Sequence, residues 1–161
     1  MKEIKLSEMD AKFKYEIAGQ PGAENFKLCF SCGTCTASCP VAEVNEDYDP
    51  RKIIRMAILG MRKEVLSSDV IWMCARCHTC SVRCPQNVKF SDVMGILREM
   101  AVKEGYVPQV RVQQIKEIDN LTHSLRCNIV QYLINPTNKQ KEKTEALLKN
   151  KLKQVSQSSR S

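Results

Sequence analysis

Residues 29–40 read CFSCGTCTASCP and residues 74–85 read CARCHTCSVRCP. Shifted by 45 residues, the two runs superpose Cys29 on Cys74, Cys32 on Cys77, Cys35 on Cys80 and Cys39 on Cys84. They also pair Thr34 with Thr79, Thr36 with Ser81 and Pro40 with Pro85. A lone Cys-x-x-Cys carries little information, but two copies of C-x2-C-x2-C-x3-C-P form an internal repeat. They hold eight of the nine cysteines. Cys127 stands apart, near Ile129, Val130 and Leu133, and reads as a small buried apolar residue outside any site.

The spacing points to a metal cluster. A 4Fe-4S cubane needs one soft thiolate at each of four irons, and a short C-x2-C-x2-C loop supplies three of them. In two-cluster proteins with this run, the fourth cysteine ligates the other cluster. Applied here, Cys29, Cys32, Cys35 and Cys84 hold one cluster, and Cys74, Cys77, Cys80 and Cys39 hold the other. The exchange ties the two halves together, so metal binding contributes to folding. Zinc would need four ligands and gains nothing from the third closely spaced cysteine or the terminal Cys-Pro. Cys74-Ala-Arg-Cys77-His78 matches the haem-attachment pattern C-x-x-C-H, but the run continues to Cys80 and Cys84 and the first repeat has Gly33 in place of His78. A catalytic cysteine lacks a recognisable base, and His123 reads as a surface helix residue.

Ser31, Gly33, Thr34, Thr36 and Ser38 among the first four cysteines are small and neutral, whereas Arg76, His78 and Arg83 surround the second set. Reduction adds negative charge, so nearby cations favour the reduced form. The Cys74 cluster is therefore expected to have the higher potential and to receive electrons from the Cys29 cluster.

At 161 residues, with 43% hydrophobic and 27% charged side chains, the chain has room for one ordinary domain with extensions. Its apolar runs are too short for a membrane span, and its scattered N-terminal charges do not read as a secretory leader. A cytoplasmic protein is expected, a compartment where disulfides are rare. Of the net charge of +7, residues 109–161 carry +6, from ten basic and four acidic side chains. No aromatic residues interleave the lysine-rich stretch 139–160 for base stacking, so it reads as a solvated helix and not as a nucleic-acid site.

Asp49-Pro50 opens a helical pattern in which Ile53, Ile54, Ala57, Ile58, Met61 and Val65 recur, predicting a helix from Pro50 to Leu66. Ser91 is placed to cap a helix over Asp92–Glu104 that Gly105 would end. A looser pattern with Val110, Ile118, Leu121 and Leu125 predicts a third helix, and Lys139–Lys153 a fourth. At the other end Ile4 and Leu6, and then Phe13, Tyr15 and Ile17, alternate with polar residues as in strands, predicting a short β-ribbon or a flexible arm. The division expected is an arm over 1–25, a two-cluster domain over 26–108 and a helical basic extension over 109–161.

FSCGTCTASCPV, YDPRKIIRMAILG and WMCARCHTCSVRCP, followed by a capped helix, resemble the C subunit of the CoB-CoM heterodisulfide reductases across residues 26–108. The resemblance implies a mainly α, α-helical ferredoxin fold with two 4Fe-4S clusters. It implies an electron relay without an active site of its own, from a flavin-containing A subunit to a B subunit with CCG-type motifs. The B subunit would reduce the CoM-S-S-CoB disulfide of methanogenesis. The eight motif cysteines match that family's ligands one for one. Related non-methanogenic complexes use similar subunits with other acceptors, and a free-standing dicluster ferredoxin is the remaining alternative.

Overall fold

The computed structural model describes residues 9–135 and 141–150. Among these residues the regular secondary structure is helical, with no strand, in keeping with the mainly α class expected. None of the described helices is long and apolar enough to cross a membrane. The chain divides into two units, Met1–Pro108 and Gln109–Ser161.

In the first unit α1 spans Phe13–Ala18, and a 3-10 turn at Phe26–Leu28 leads into the first motif. The short helices α2 (Thr34–Ala37) and α3 (Pro40–Val44) follow, then α4 (Pro50–Ile58) and α5 (Arg62–Leu66). A second 3-10 turn, Asp69–Trp72, leads into the second motif, which continues as α6 (Thr79–Arg83) and then α7 (Phe90–Lys103). α2 packs against α6, so the two motifs face one another.

The alternation at 13–17 is not a strand. Phe13 and Ile17 lie four residues apart on one face of α1 and are both buried, while Tyr15 faces out. A spacing of four is the helical neighbour relation, and the core satisfied by these two residues overrides the local alternation. Ile4 and Leu6 lie outside the described residues.

α4 begins where its cap predicts: the Asp49 carboxylate accepts from the Lys52 N–H at 3.2 Å, and Pro50 occupies the first turn. Its inner face buries Ile53, Ile54 and Ala57, each isoleucine stabilising the fold by about 1.5–3 kcal/mol. The predicted single helix to Leu66 is, however, two helices. Gly60 turns the chain with φ +84°, and a Cβ there would strike the backbone of Asp10. The Asp10 N–H donates to the Gly60 carbonyl at 2.8 Å. This close approach ends α4 and lets α5 depart in a new direction.

Arg62 at the start of α5 gathers three carboxylates: Nη1 reaches Asp10 at 2.8 Å and Glu16 at 2.7 Å, and Nη2 reaches Glu104 at 2.6 Å. Its guanidinium also lies 5.0 Å from the centre of the Phe13 ring. Partial burial raises the Asp10 pKa, but the Lys12 N–H and Arg62 outweigh it and hold the group below its ordinary value.

α7 starts at Phe90, two residues before the predicted start, with Lys89 in the left-handed region as its cap. Ser91 lies inside the first turn and is buried, its hydroxyl 3.4 Å from Cys80 Sγ, so it serves a thiol and not a helix end. Gly105 closes α7 as expected. With φ +76° it donates to the Val102 carbonyl while the Tyr106 N–H reaches Ala101, the double-bonded C-terminal motif.

The second unit contains α8, Val110–Ile134, about 37 Å of continuous helix, together with helical residues 141–150. No residue of α8 is buried. The predicted fourth helix coincides with 141–150, and its remaining residues lie outside those described.

Candidate metal centre

The repeat seen in sequence is also a repeat in backbone conformation. Ser31 and Arg76 have φ +59° and +49°, and Gly33 and His78 have +85° and +58°, so equivalent positions enter the left-handed region in each motif. These paired reversals coil the chain back on itself, and each loop then enters its short helix, α2 or α6. Glycine takes this conformation freely, and histidine is among the residues that adopt it more readily than most. The difference between Gly33 and His78 is thus one solution reached with two residue types.

Hydrogen bonds to sulfur repeat as well. Cys32 Sγ lies 3.3 Å from Thr34 Oγ1, and Cys77 Sγ donates to Thr79 Oγ1 at 3.5 Å. In a thiolate the hydroxyl is the donor of either pair, and these hydroxyls lower the pKa of Cys32 and Cys77. The Ser31 and Val88 N–H groups donate to Cys29 and Cys84 Sγ, each at 3.4 Å. Burial acts the other way, raising the Cys80 pKa and taking Cys35 to about 11.

Cys29, Cys32 and Cys35 line one pocket together with Cys84 from the other motif. It is walled by apolar residues including Ile54, Val88 and Phe90. Cys80 also reaches this pocket. Around the second motif, buried Tyr48 is the common neighbour of Cys74, Cys39 and Cys80. Burial first, and then these thiols, push its pKa up. Cys77 is exposed, with Thr79 as its hydrogen-bond partner, and Cys39 borders a surface depression with Arg83.

Five thiols on an apolar pocket, Cys29, Cys32, Cys35, Cys80 and Cys84, without histidine or carboxylate, form a soft donor set suited to an iron–sulfur cluster. Among the described residues, no three His, Cys, Asp or Glu side chains are grouped to hold a single metal ion. Also among the described residues, the buried Trp72 Nε1, just before the second motif, has no protein hydrogen-bond partner, and the Ser81 hydroxyl inside the motif has only the neighbouring Cys80 thiol. Buried donors require acceptors, and cluster sulfur offers them. The residues present therefore fit the group.

Cys127 does not follow its expected burial. It is exposed on α8, a helix without a buried position against which a thiol could pack.

Three contributors escape a reading of the motifs alone. Arg51 on α4 lines the first pocket, its Nη1 3.6 Å from where a Cβ on Gly33 would lie. The first motif, neutral in its own sequence, thus has a cation supplied from another element. Thr36 Oγ1 donates to Asp49 at 2.6 Å and accepts the Arg51 N–H at 3.0 Å, fastening α2 to the cap of α4. Arg98, buried on α7, donates from Nε to the Ile71 carbonyl at 2.8 Å and from Nη2 to Trp72 and Cys74 at 3.1 and 2.8 Å. It holds the chain where it enters the second motif. Its only sequence signal is a charge on the apolar face of Met94, Leu97 and Ala101.

The 4Fe-4S dicluster domain family matches residues 25–88. The C subunit of the H(2):CoB-CoM heterodisulfide,ferredoxin reductase of Methanothermobacter thermautotrophicus is 38% identical over 104 residues, which cover 65% of this chain and 55% of the relative. The second iron-sulfur C subunit of the CoB–CoM heterodisulfide reductase of Methanocaldococcus jannaschii is 33% identical over 135 residues, 80% of this chain and 72% of the relative. A protein of Archaeoglobus profundus named as like the heterodisulfide reductase C subunit is 30% identical over 110 residues, 68% and 58% of the two chains. The chain thus spans little more than half the length of the Methanothermobacter relative.

Proposed function

The chain belongs to the family of heterodisulfide reductase iron-sulfur C subunits, and from that premise we propose that it is an electron-relay subunit with two 4Fe-4S clusters. Cys29, Cys32, Cys35 and Cys84 hold the first cluster, and Cys39, Cys74, Cys77 and Cys80 the second. Each cluster supplies reversible one-electron storage. The protein supplies thiolates, hydrogen bonds that stabilise charge on sulfur, and an apolar wall that limits water. Residues 26–108 are the relay domain, flanked by the arm over 1–25 and the basic extension over 109–161. The partners are a flavin-containing A subunit and a CCG-motif B subunit, in the cytoplasm, with a disulfide such as CoM-S-S-CoB as terminal acceptor.

The observation that carries this reading is the pocket in which three cysteines of the first motif meet Cys80 and Cys84 of the second. The test is iron and acid-labile sulfide content after anaerobic purification, with EPR of the reduced protein. About eight irons and eight sulfides, with magnetically interacting clusters, are expected. Cys84→Ser should perturb the first cluster. If it perturbs only the second, the crossed ligand assignment is wrong, and zinc without sulfide would refute the relay.

A further inference from the structure

We propose that the outward face of α4 beside the first motif docks a carboxylate-rich surface of an electron-carrier protein that exchanges electrons with the first cluster. This rests on the relay reading above and goes beyond it by adding a soluble carrier as a second electron donor beside the flavin-containing subunit.

Arg51, Lys52 and Arg55 are exposed and line a surface depression with Ser31, Asp49 and Met56. The inner face of α4 supplies the buried residues, so the core does not require cations on the outer one. Among the described residues, no salt bridge engages Arg51, Lys52 or Arg55; the carboxylates of Asp10, Glu16 and Glu104 are gathered by Arg62 instead. Asp49, the carboxylate in the depression, already accepts the Thr36 hydroxyl and the Lys52 N–H. It offsets one of the three positive charges, and Asp47 and Glu64 line an adjoining depression with Lys52; the excess carried by Arg51 and Arg55 on the Ser31 side is what a carboxylate-rich partner complements.

The depression adjoins the site. Ser31 and Arg51 line both it and the cysteine pocket, so one layer of side chains separates a docked carrier from the thiols. Cys32, which lines the cysteine pocket, is itself exposed, and Phe30, next to Ser31 in the chain, is 60% exposed. A reduced cluster and an acidic carrier repel one another, and a layer of cations between them counters that repulsion. In the step itself one electron leaves the reduced carrier, which becomes oxidised, and enters the first cluster, which becomes reduced; no covalent bond forms or breaks.

The experiment uses the full chain with its clusters assembled anaerobically and an acidic two-cluster ferredoxin, reduced beforehand, as the probe. Electron transfer is followed by stopped flow over a range of ionic strength. The double variant K52Q/R55Q removes two exposed charges that do not line the cysteine pocket, and R76Q/R83Q removes two beside the second motif. The expected result is a roughly five- to tenfold lower second-order rate constant for K52Q/R55Q at low salt, merging with the parent at high salt. Iron content and cluster potentials should be unchanged. Normal clusters with a rate indifferent to K52Q/R55Q would overturn the docking face alone, as would a loss found only in R76Q/R83Q. A chain without iron and sulfide would overturn the relay reading and this proposal with it.

Discussion

Replacing Arg98 with methionine keeps the length and apolar body of the side chain and removes the guanidinium that binds the carbonyls of Ile71, Trp72 and Cys74. A hydrogen bond to a charged group is worth about 1.5–3 kcal/mol, but the three share one cation, and removing it also relieves the cost of burying a charge. Breaking a buried charged network typically costs about 3–5 kcal/mol, so a loss of about 3–4 kcal/mol is expected. That is a large part of the 5–15 kcal/mol that stabilises an ordinary domain. Arg98→Lys retains the charge but not the planar fork that reaches three acceptors and should lose about half as much. Urea unfolding of the anaerobic holoprotein, followed by helical circular dichroism, gives the stability. Visible absorbance during unfolding should bleach at lower urea in Arg98→Met, because the segment entering the second motif is released first. A loss below about 1 kcal/mol, with bleaching at the parent's urea concentration, would refute the role of Arg98 as the clamp on this segment.

Two further tests address the site's electrostatics. Arg51→Gln should lower the potential of the first cluster by an amount on the order of tens of millivolts in an EPR-monitored titration, and R76Q/R83Q should selectively lower that of the second; identical potentials in parent and variants would remove these cations from the account. Asp49 has a lowered pKa because the Thr36 hydroxyl and the Lys52 and Arg51 N–H groups outweigh the effect of burial. Its stabilisation is therefore complete above the unfolded carboxylate pKa and is lost as pH falls through the lower folded value, so Asp49→Asn should flatten the acid limb of a stability–pH curve while still capping α4, whereas Asp49→Ala should also cost about 1 kcal/mol at neutral pH.

The features legible in the sequence were those fixed by short spacing. The two C-x2-C-x2-C-x3-C-P runs announce an iron–sulfur domain because three thiolates supplied by one short loop are spaced for a cluster. Asp49-Pro50 announces the start of α4 because cap and first turn are contiguous. The misreadings arise where a distant contact decides. Phe13, Tyr15 and Ile17 alternate, yet only Phe13 and Ile17 have a core to enter. Gly60 looks like an ordinary helix residue until Asp10 is laid against it. Ser91 has the chemistry of a cap but is drawn to Cys80. Cys127 has apolar neighbours in sequence but lies on a helix with no buried face. Arg51, Tyr48 and Arg98 belong to the site through tertiary packing, which motif spacing cannot encode.

The meeting of Cys29 with Cys84 in one pocket also orders events in time. More than fifty residues separate them, and Val88 and Phe90 of the same wall are made later still. As the chain leaves the ribosome, the first motif therefore emerges well before the surface that shelters it exists. On the crossed ligand assignment proposed above, its thiols stay without their fourth partner until the second motif has been synthesised, which ties cluster assembly at the first site to the completion of the second half of the domain.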